Sequence, residues 1–355
     1  MSYRMLLAAV ALVLVGCGSN EVQTEVVFAD SQRPVTGASV TPLLSSPQFD
    51  AFAIDPNVAP ARTDDNGRFV LDEGSRRDAG VQITIDVGST PGPVGRLDWR
   101  APFDRSEPPS VLEIPEPLSC ELDDQCGASL LPDLVPVIGW NDLPEAVVER
   151  LRPTSEGSPT AGLLPAETWF LDQQDDVDLL RFATVAANVG DGPLDIIAGD
   201  AEGEVIQTWQ RVWTDEWRFT DRLSGEFIFH DDHDHIHFDA FERYRLLDED
   251  GATVASSEKV SFCLRDSVLI TGEPAPETGP MLVDTGDCGD RQQIINAGFG
   301  DHYHALLEDQ WIDISDVPDG RYIVEITVDP LDLILESDET NNTGRFEIDL
   351  VRSSR

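Results

Sequence analysis

Lysine is almost missing from this chain of 355 residues: 23 of its 24 basic side chains are arginine, and Lys259 is the only lysine. Basic residues of either kind are scarce, 24 against 67 carboxylates, which sets the formal charge at −43. A field of that sign repels phosphate backbones and argues against nucleic-acid binding. Beyond the first residues no apolar run reaches the ~18 residues that span a bilayer, so no internal helical span is expected. The 5 cysteines form no C-x-x-C pair, which argues against a thiolate metal site. Internal repeats are absent as well. Core material is not lacking: 41% of residues are apolar and 7 are Trp, which excludes wholesale disorder. The length fits about two domains.

Residues 1–16 read as a signal peptide: a charged start at Arg4, an apolar run over Met5–Val15, then Leu14-Val15-Gly16-Cys17. That ending resembles the bacterial lipoprotein box, which implies lipidation of Cys17 and anchoring to the envelope through lipid alone. Gly18 after the cysteine fits an outer-membrane destination. Four cysteines are left: Cys120, Cys126, Cys263 and Cys288. An even number in an exported chain predicts disulfides, and local loop closure favours Cys120–Cys126 and Cys263–Cys288 among the three connectivities.

Residues 23–115 show short apolar runs separated by turns. Val81–Val87 alternates with period two, and Asp65-Asn66-Gly67 marks a hairpin turn. The run Gly37-Ala38-Ser39-Val40, followed by Thr63-Asp64-Asp65-Asn66-Gly67-Arg68-Phe69, resembles the carboxypeptidase regulatory-like domain, a small transthyretin-like β-sandwich. The unit has no His and reads as a spacer or adhesion module. Pro102, Pro108, Pro109, Pro115 and Pro117 introduce a semi-rigid linker, 116–130, that contains the first cysteine pair. Residues 131–351 form a second β-rich unit. One strand is expected over the run Val177–Asn188, others over Phe238–Leu247, Val254–Leu264, Tyr322–Val328 and Gly344–Val351. Helical periodicity shows only around Leu143–Leu151. The fold class is mainly β.

Histidine is concentrated to a degree that composition does not explain. His230, His233, His235 and His237 fall within eight residues, and His302 and His304 flank Tyr303. On a strand, H-x-H-x-H sends three imidazoles to one face. The outer two are then about 13 Å apart along the chain and just within reach of one metal with nitrogen bonds of about 2 Å. Imidazole-only ligation suits Cu(II), Zn, Ni or Fe, and an oxidising compartment leans toward copper.

These residues sit in a longer pattern. His230–Phe238, followed by Phe241-Glu242-Arg243-Tyr244-Arg245-Leu246-Leu247-Asp248, resembles the copper-binding segment of lysyl oxidases. Lys259-Val260-Ser261-Phe262-Cys263-Leu264-Arg265-Asp266 resembles that family's K-A-S-F-C-L-E-D. Gln310–Pro318 resembles its Q-W-I-D-I-T-D-V, and Glu336–Asn342 its E-S-D-x-T-N-N. The resemblance implies a copper amine oxidase in which a Lys and a Tyr join as lysine tyrosylquinone. By motif position these are Lys259 and Tyr303, and the copper ligands are His233, His235 and His237. His230 matches a further family His. The implied reaction is oxidation of a primary amine, peptidyl lysine included, by oxygen, yielding aldehyde, peroxide and ammonia. A quinone carbonyl is an electrophile toward amines, and a nearby base must take a proton. Any of many Asp or Glu could be that base.

The departures are specific. Asp232 and Asp309 replace family cysteines, and His302 and His304 are additions, read as accessory ligands, acid–base groups or an exposed loop. A non-catalytic surface lipoprotein that binds copper or a partner is the alternative reading. A zinc hydrolase is third.

Overall fold

The computed structural model describes residues 23–29, 31–46, 51–54, 59–71, 79–88, 94–103, 109–120, 127–137, 147–151, 177–202, 205–230, 235–270, 282, 291–305, 307 and 310–352. Among these every helix-or-strand element is a β-strand, in agreement with the mainly β expectation. The signal segment with Cys17, and Cys126, His233 and Cys288, lie outside the described residues.

The N-terminal unit consists of two sheets. One has five strands, in the order Ala51–Ile54, Ser39–Ser46, Ala79–Gly88 and Val94–Phe103, with Ala61–Arg62 beside the second. The other places Thr24–Phe28 between Arg68–Phe69 and Val111–Ile114. The period-two pattern has its expected effect: Val81, Ile83 and Val87 are buried while Asp86 is exposed. They join Val26, Phe28, Val40 and Ile114 in one apolar cluster. Each such side chain contributes about 1.5–3 kcal/mol by leaving water. The turn at Asp64–Arg68 needs its glycine. Gly67 has φ +73°, and a Cβ there would lie 2.5 Å from the carbonyl oxygen of Val26. Asp64 Oδ1 accepts from the amides of Asn66 and Arg68 at 2.8 and 2.9 Å, so this carboxylate shapes its own turn.

The second unit is built on a ten-stranded sheet. Its main path runs Gln292–Ile295, Leu194–Glu202, Val205–Thr214, Arg218–His230, His235–Leu247, Gly320–Val328 and Thr343–Leu350, with Thr253–Phe262 also paired to His235–Leu247. A four-stranded sheet orders Leu134–Val137, Thr184–Asn188, Phe299–Tyr303 and Val268–Leu269. A three-stranded sheet places Val177–Arg181 between Val147–Leu151 and Trp311–Asp313. Phe182, Phe227, Phe238, Phe241, Tyr244 and Tyr303 belong to the shared core of these layers.

Two expectations from the sequence are corrected. The run Val177–Asn188 is not one strand. It breaks at Phe182-Ala183 into two strands of different sheets, and the break lets Phe182 bury completely, edge-on to Tyr244 at 4.9 Å between ring centroids. The helical pattern near 143–151 gives no helix over Val147–Leu151. That segment is a strand antiparallel to Val177–Arg181, because tertiary pairing overrides a short local period. Residues 143–146 lie outside the described residues.

The proline-rich stretch is sewn to the large sheet. Leu118–Ser119 pairs parallel with Arg218 and Phe219, and Ser129–Leu130 pairs antiparallel with Trp213 and Thr214. Trp213 and Phe219 in turn belong to the apolar cluster of the N-terminal unit. Arg211 is buried beside them, bonded to Asp221 at 2.7 Å and donating to the Val87 carbonyl at 3.1 Å. Cys120 and Cys263 are each disulfide-bonded. The favoured partners, Cys126 and Cys288, fall outside the described residues, so the pairing stays an expectation.

Candidate active site

The hairpin formed by Arg218–His230 and His235–Leu247 presents the histidines. His230 stands opposite His235 in register, and Ile228 opposite His237. Alternation puts Ile236 and Phe238 into the core and brings His235 and His237 together on the other face. Their Nε2 atoms are 2.8 Å apart, with ring centroids at 4.7 Å. Two nitrogens bound to one metal at about 2.0–2.1 Å would be about 2.8–3.4 Å apart for angles between 90° and tetrahedral. The pair therefore fits two adjacent positions on a single metal, and an all-imidazole donor set suits copper. No group of three metal-ligating side chains occurs among the described residues; His233, the third member of the motif, is not one of them.

The strand His235–Leu247 then changes partners. Phe227–His230 pairs with His235–Phe238, but Ile323–Val328 pairs with Glu242–Leu247. Between these stretches Ala240 takes φ +55°, a left-handed conformation that costs an alanine energy and marks a bulge. Across the other edge, Phe238 stands opposite Phe262 and Glu242 opposite Val260, so the histidine strand carries the extra residues there. From Glu242–Tyr244 to Val260–Ser257 the surplus moves to the facing strand, at Glu258–Lys259. The lone lysine therefore sits in a β-bulge, a device that re-aims side chains near sites.

Tyr303 closes the interlayer space from the smaller sheet. It is 8% exposed, and its ring lies 3.6 Å, centroid to centroid, over Phe262, three residues after Lys259. Its hydroxyl donates to the Cys263 carbonyl at 2.8 Å and also meets Asp301 Oδ2. Asp301 accepts from Ser267 Oγ at 2.8 Å and from the Arg265 amide at 3.2 Å. The segment following the lysine strand is thereby wrapped around the tyrosine. Burial pushes the Asp301 carboxyl up to about 8, against the pull of its hydrogen bonds from Tyr303 and Ser267. Burial, and then the charge of Asp301, push the Tyr303 phenol well above its usual range.

A second acid and tyrosine lie beside the first pair. Glu242 and Tyr244 are fully buried; Glu242 Oε2 accepts from the Tyr244 hydroxyl and from Thr184 Oγ1 at 3.2 Å. Gln310 bridges the same group, donating to Thr184 Oγ1 and accepting from Tyr244, both at 3.2 Å. Thr184 stands opposite Tyr303 in the smaller sheet, which links the two clusters. Burial raises Glu242 to about 7, with the Tyr244 and Thr184 hydroxyls opposing. Sequence reasoning left the base unassigned and named neither Glu242 nor Asp301. A signal was present: Glu242-Arg243-Tyr244 and Asp301-His302-Tyr303 share an acid-x-Tyr spacing that a strand turns into contact on one face.

The added histidines are separated from Tyr303 by the same alternation. His304 is exposed and His302 half-buried, with ring centroids 6.4 Å apart. His302 Nε2 is buried without a hydrogen-bond partner, and burial followed by the charge of His304 lowers its pKa. The backbone of Lys259 and the register of His230 are described, but not their side chains.

The described residues thus place two imidazoles side by side on one strand and a buried tyrosine against a buried acid, with a second buried acid nearby. In comparison with known proteins, residues 214–354 match the lysyl oxidase family model. The chain is 39% identical over 122 residues to human lysyl oxidase homolog 1, covering 34% of this chain and 20% of that protein. It is 38% identical over 129 residues to pig protein-lysine 6-oxidase, covering 36% of this chain and 47% of that protein. Zebrafish lysyl oxidase homolog 2B is 36% identical over 127 residues, covering 35% and 16%. The chain thus spans less than half the length of these relatives. Thr184, which contacts Glu242, comes from outside the matched stretch.

Proposed function

We propose that this chain is a copper- and quinone-dependent oxidase of primary amines, with peptidyl lysine as its substrate class and oxygen as acceptor. The observation that carries the reading is the His235–His237 pair, with Nε2 atoms 2.8 Å apart, within the stretch that matches lysyl oxidases. His235 and His237, with His233, would hold copper. Lysine tyrosylquinone, made from Lys259 and Tyr303, would supply an electrophilic carbonyl toward the amine. Asp301 and the Cys263 carbonyl orient the Tyr303 oxygen, Phe262 fixes its ring, and the packed layers exclude water. The formal charge of −43 favours cationic amines and Lys-rich polypeptides as partners. The products are aldehyde, peroxide and ammonia. Export and lipid anchoring through Cys17, in the outer membrane, belong to the same reading, as does a carboxypeptidase regulatory-like spacer at 23–115.

Purified protein given copper and air should develop a chromophore that reacts with phenylhydrazine, and a Lys259–Tyr303 cross-linked peptide should appear by mass spectrometry. Copper binding by folded protein without that peptide would leave a non-catalytic copper-binding surface protein. Lys259→Arg should keep copper and lose amine-dependent peroxide formation entirely.

A further inference from the structure

We propose that Glu242 is the proton acceptor of this site, taking at Oε1 the proton from the carbon that bears the substrate's amine nitrogen. The assignment rests on the proposed function. Glu242 is 0% exposed, and its two oxygens are unequal: Oε2 holds two hydroxyl donors, while Oε1 is buried with no partner. A buried carboxyl oxygen left without a partner is unfavourable and calls for an explanation. Its place supplies one. Glu242 stands opposite Val260, the residue after Lys259, and bonds Thr184, the residue opposite Tyr303. It lies between the two strands that carry the residues of the proposed cofactor, close enough for its charge to act on both Asp301 and Tyr303.

Asp301 is nearer to Tyr303 but is already engaged, taking donors from Tyr303, Ser267 and the Arg265 amide. The labour divides: Asp301 orients the ring oxygen, and Glu242 moves the proton. In that step the C–H bond would break with its electron pair going to the quinone, the two-electron acceptor when formed, and Oε1 would take the proton. Dioxygen is the terminal oxidant. Among the described side chains, the titratable groups facing Glu242 are Tyr244 on its own strand and Asp301 and Tyr303 on the smaller sheet. With burial holding it at about 7, Glu242 is matched to proton transfer near neutrality.

The test uses full-length, copper-loaded Glu242→Gln. Copper content, the Lys259–Tyr303 peptide and the phenylhydrazine titre should equal wild type. Anaerobic bleaching of the chromophore by n-butylamine should slow about 100-fold or more, with a larger isotope effect for the α,α-dideuterated amine. Glu242→Asp should recover part of the rate. Bleaching at the wild-type rate overturns the proposal. So does loss of the chromophore in Glu242→Gln with copper still bound, since Glu242 would then serve assembly. If wild type forms no chromophore, the proposed function fails instead, and infrared titration of copper-free protein judges Glu242 by itself. A carboxyl band absent from Glu242→Gln and titrating at about 7 supports the role. A Glu242 ionised throughout the ordinary carboxylate range overturns it.

Discussion

Among the described residues, the N-terminal unit buries few polar side chains, Thr24, Thr63 and Gln82, and no acid. The second unit buries Asp178, Asp195, Glu242, Asp301, Glu325, Asp329 and Glu336. Both are β-structures with apolar cores, so the difference is not one of architecture. Burying an acid disfavours its charged form, and a fold retains the arrangement where hydrogen bonds or chemistry require it. Glu336 shows the structural case: it accepts from the Leu134 amide and from Asn342 Nδ2, joining segments 202 residues apart in sequence. Glu242, with a free oxygen, shows the other. The first unit is held together by apolar contact; the second combines apolar contact with stored proton affinity.

Substitutions can break this contrast. The largest effect is expected for His237→Ala, which should lower copper content below a tenth of wild type and abolish amine oxidation while the urea transition persists. Metal analysis decides it, and full copper occupancy would remove His237 from the site. Ile83→Ala, in the first unit's core, should cost about 2–5 kcal/mol in urea unfolding and leave the phenylhydrazine titre per folded molecule unchanged. A changed titre would mean that the first unit shapes the chemistry. Gly67→Ala should cost about 1–3 kcal/mol, since it strains a left-handed position against the Val26 carbonyl. Its effect on the titre should again be nil.

The smallest and most diagnostic effect is on pH dependence. Glu242, Asp301 and Glu336 have folded pKa values raised to about 7, 8 and 8. The folded state therefore binds more protons than the unfolded chain between the ordinary carboxylate range and these values. Stability should fall as pH rises through that window. Asp64, lowered by backbone hydrogen bonds from Arg68 and Asn66, works in the opposite sense: its contribution is lost as pH falls through its depressed value. Urea midpoints should decline between about pH 5 and pH 8, and Asp301→Asn should flatten that decline. A midpoint that rises steadily over this range would mean that these acids are ionised in the fold.

Much of the arrangement was legible in the sequence. Period-two alternation predicted the strand at Val81–Val87, and H-x-H predicted that His235 and His237 share a face. Motif spacing singled out Tyr303, which proves to be enclosed against Phe262. The illegible part is pairing. Nothing local says that the run after Val177 must split so that Phe182 can reach Tyr244, or that Ala240 bends the histidine strand as it changes partners. The acids were hidden by abundance: with 67 carboxylates in the chain, composition cannot distinguish a buried Glu242 from a solvated one. Only the register that sets Thr184 opposite Tyr303 and Glu242 opposite Val260 brings them forward.

Trp213 and Phe219 belong to the large sheet by hydrogen bonding and to the N-terminal unit by packing, with the Arg211 guanidinium 3.9 Å over the Phe219 ring and bonded to Val87. The two units therefore share a hydrophobic seam, and their melting should be cooperative, with one calorimetric transition where two independent modules would give two. A truncated chain that keeps only residues 131–351 would expose the Trp213 and Phe219 rings and remove the Val87 carbonyl from Arg211. It should be prone to self-association, which light scattering of the truncated chain would show.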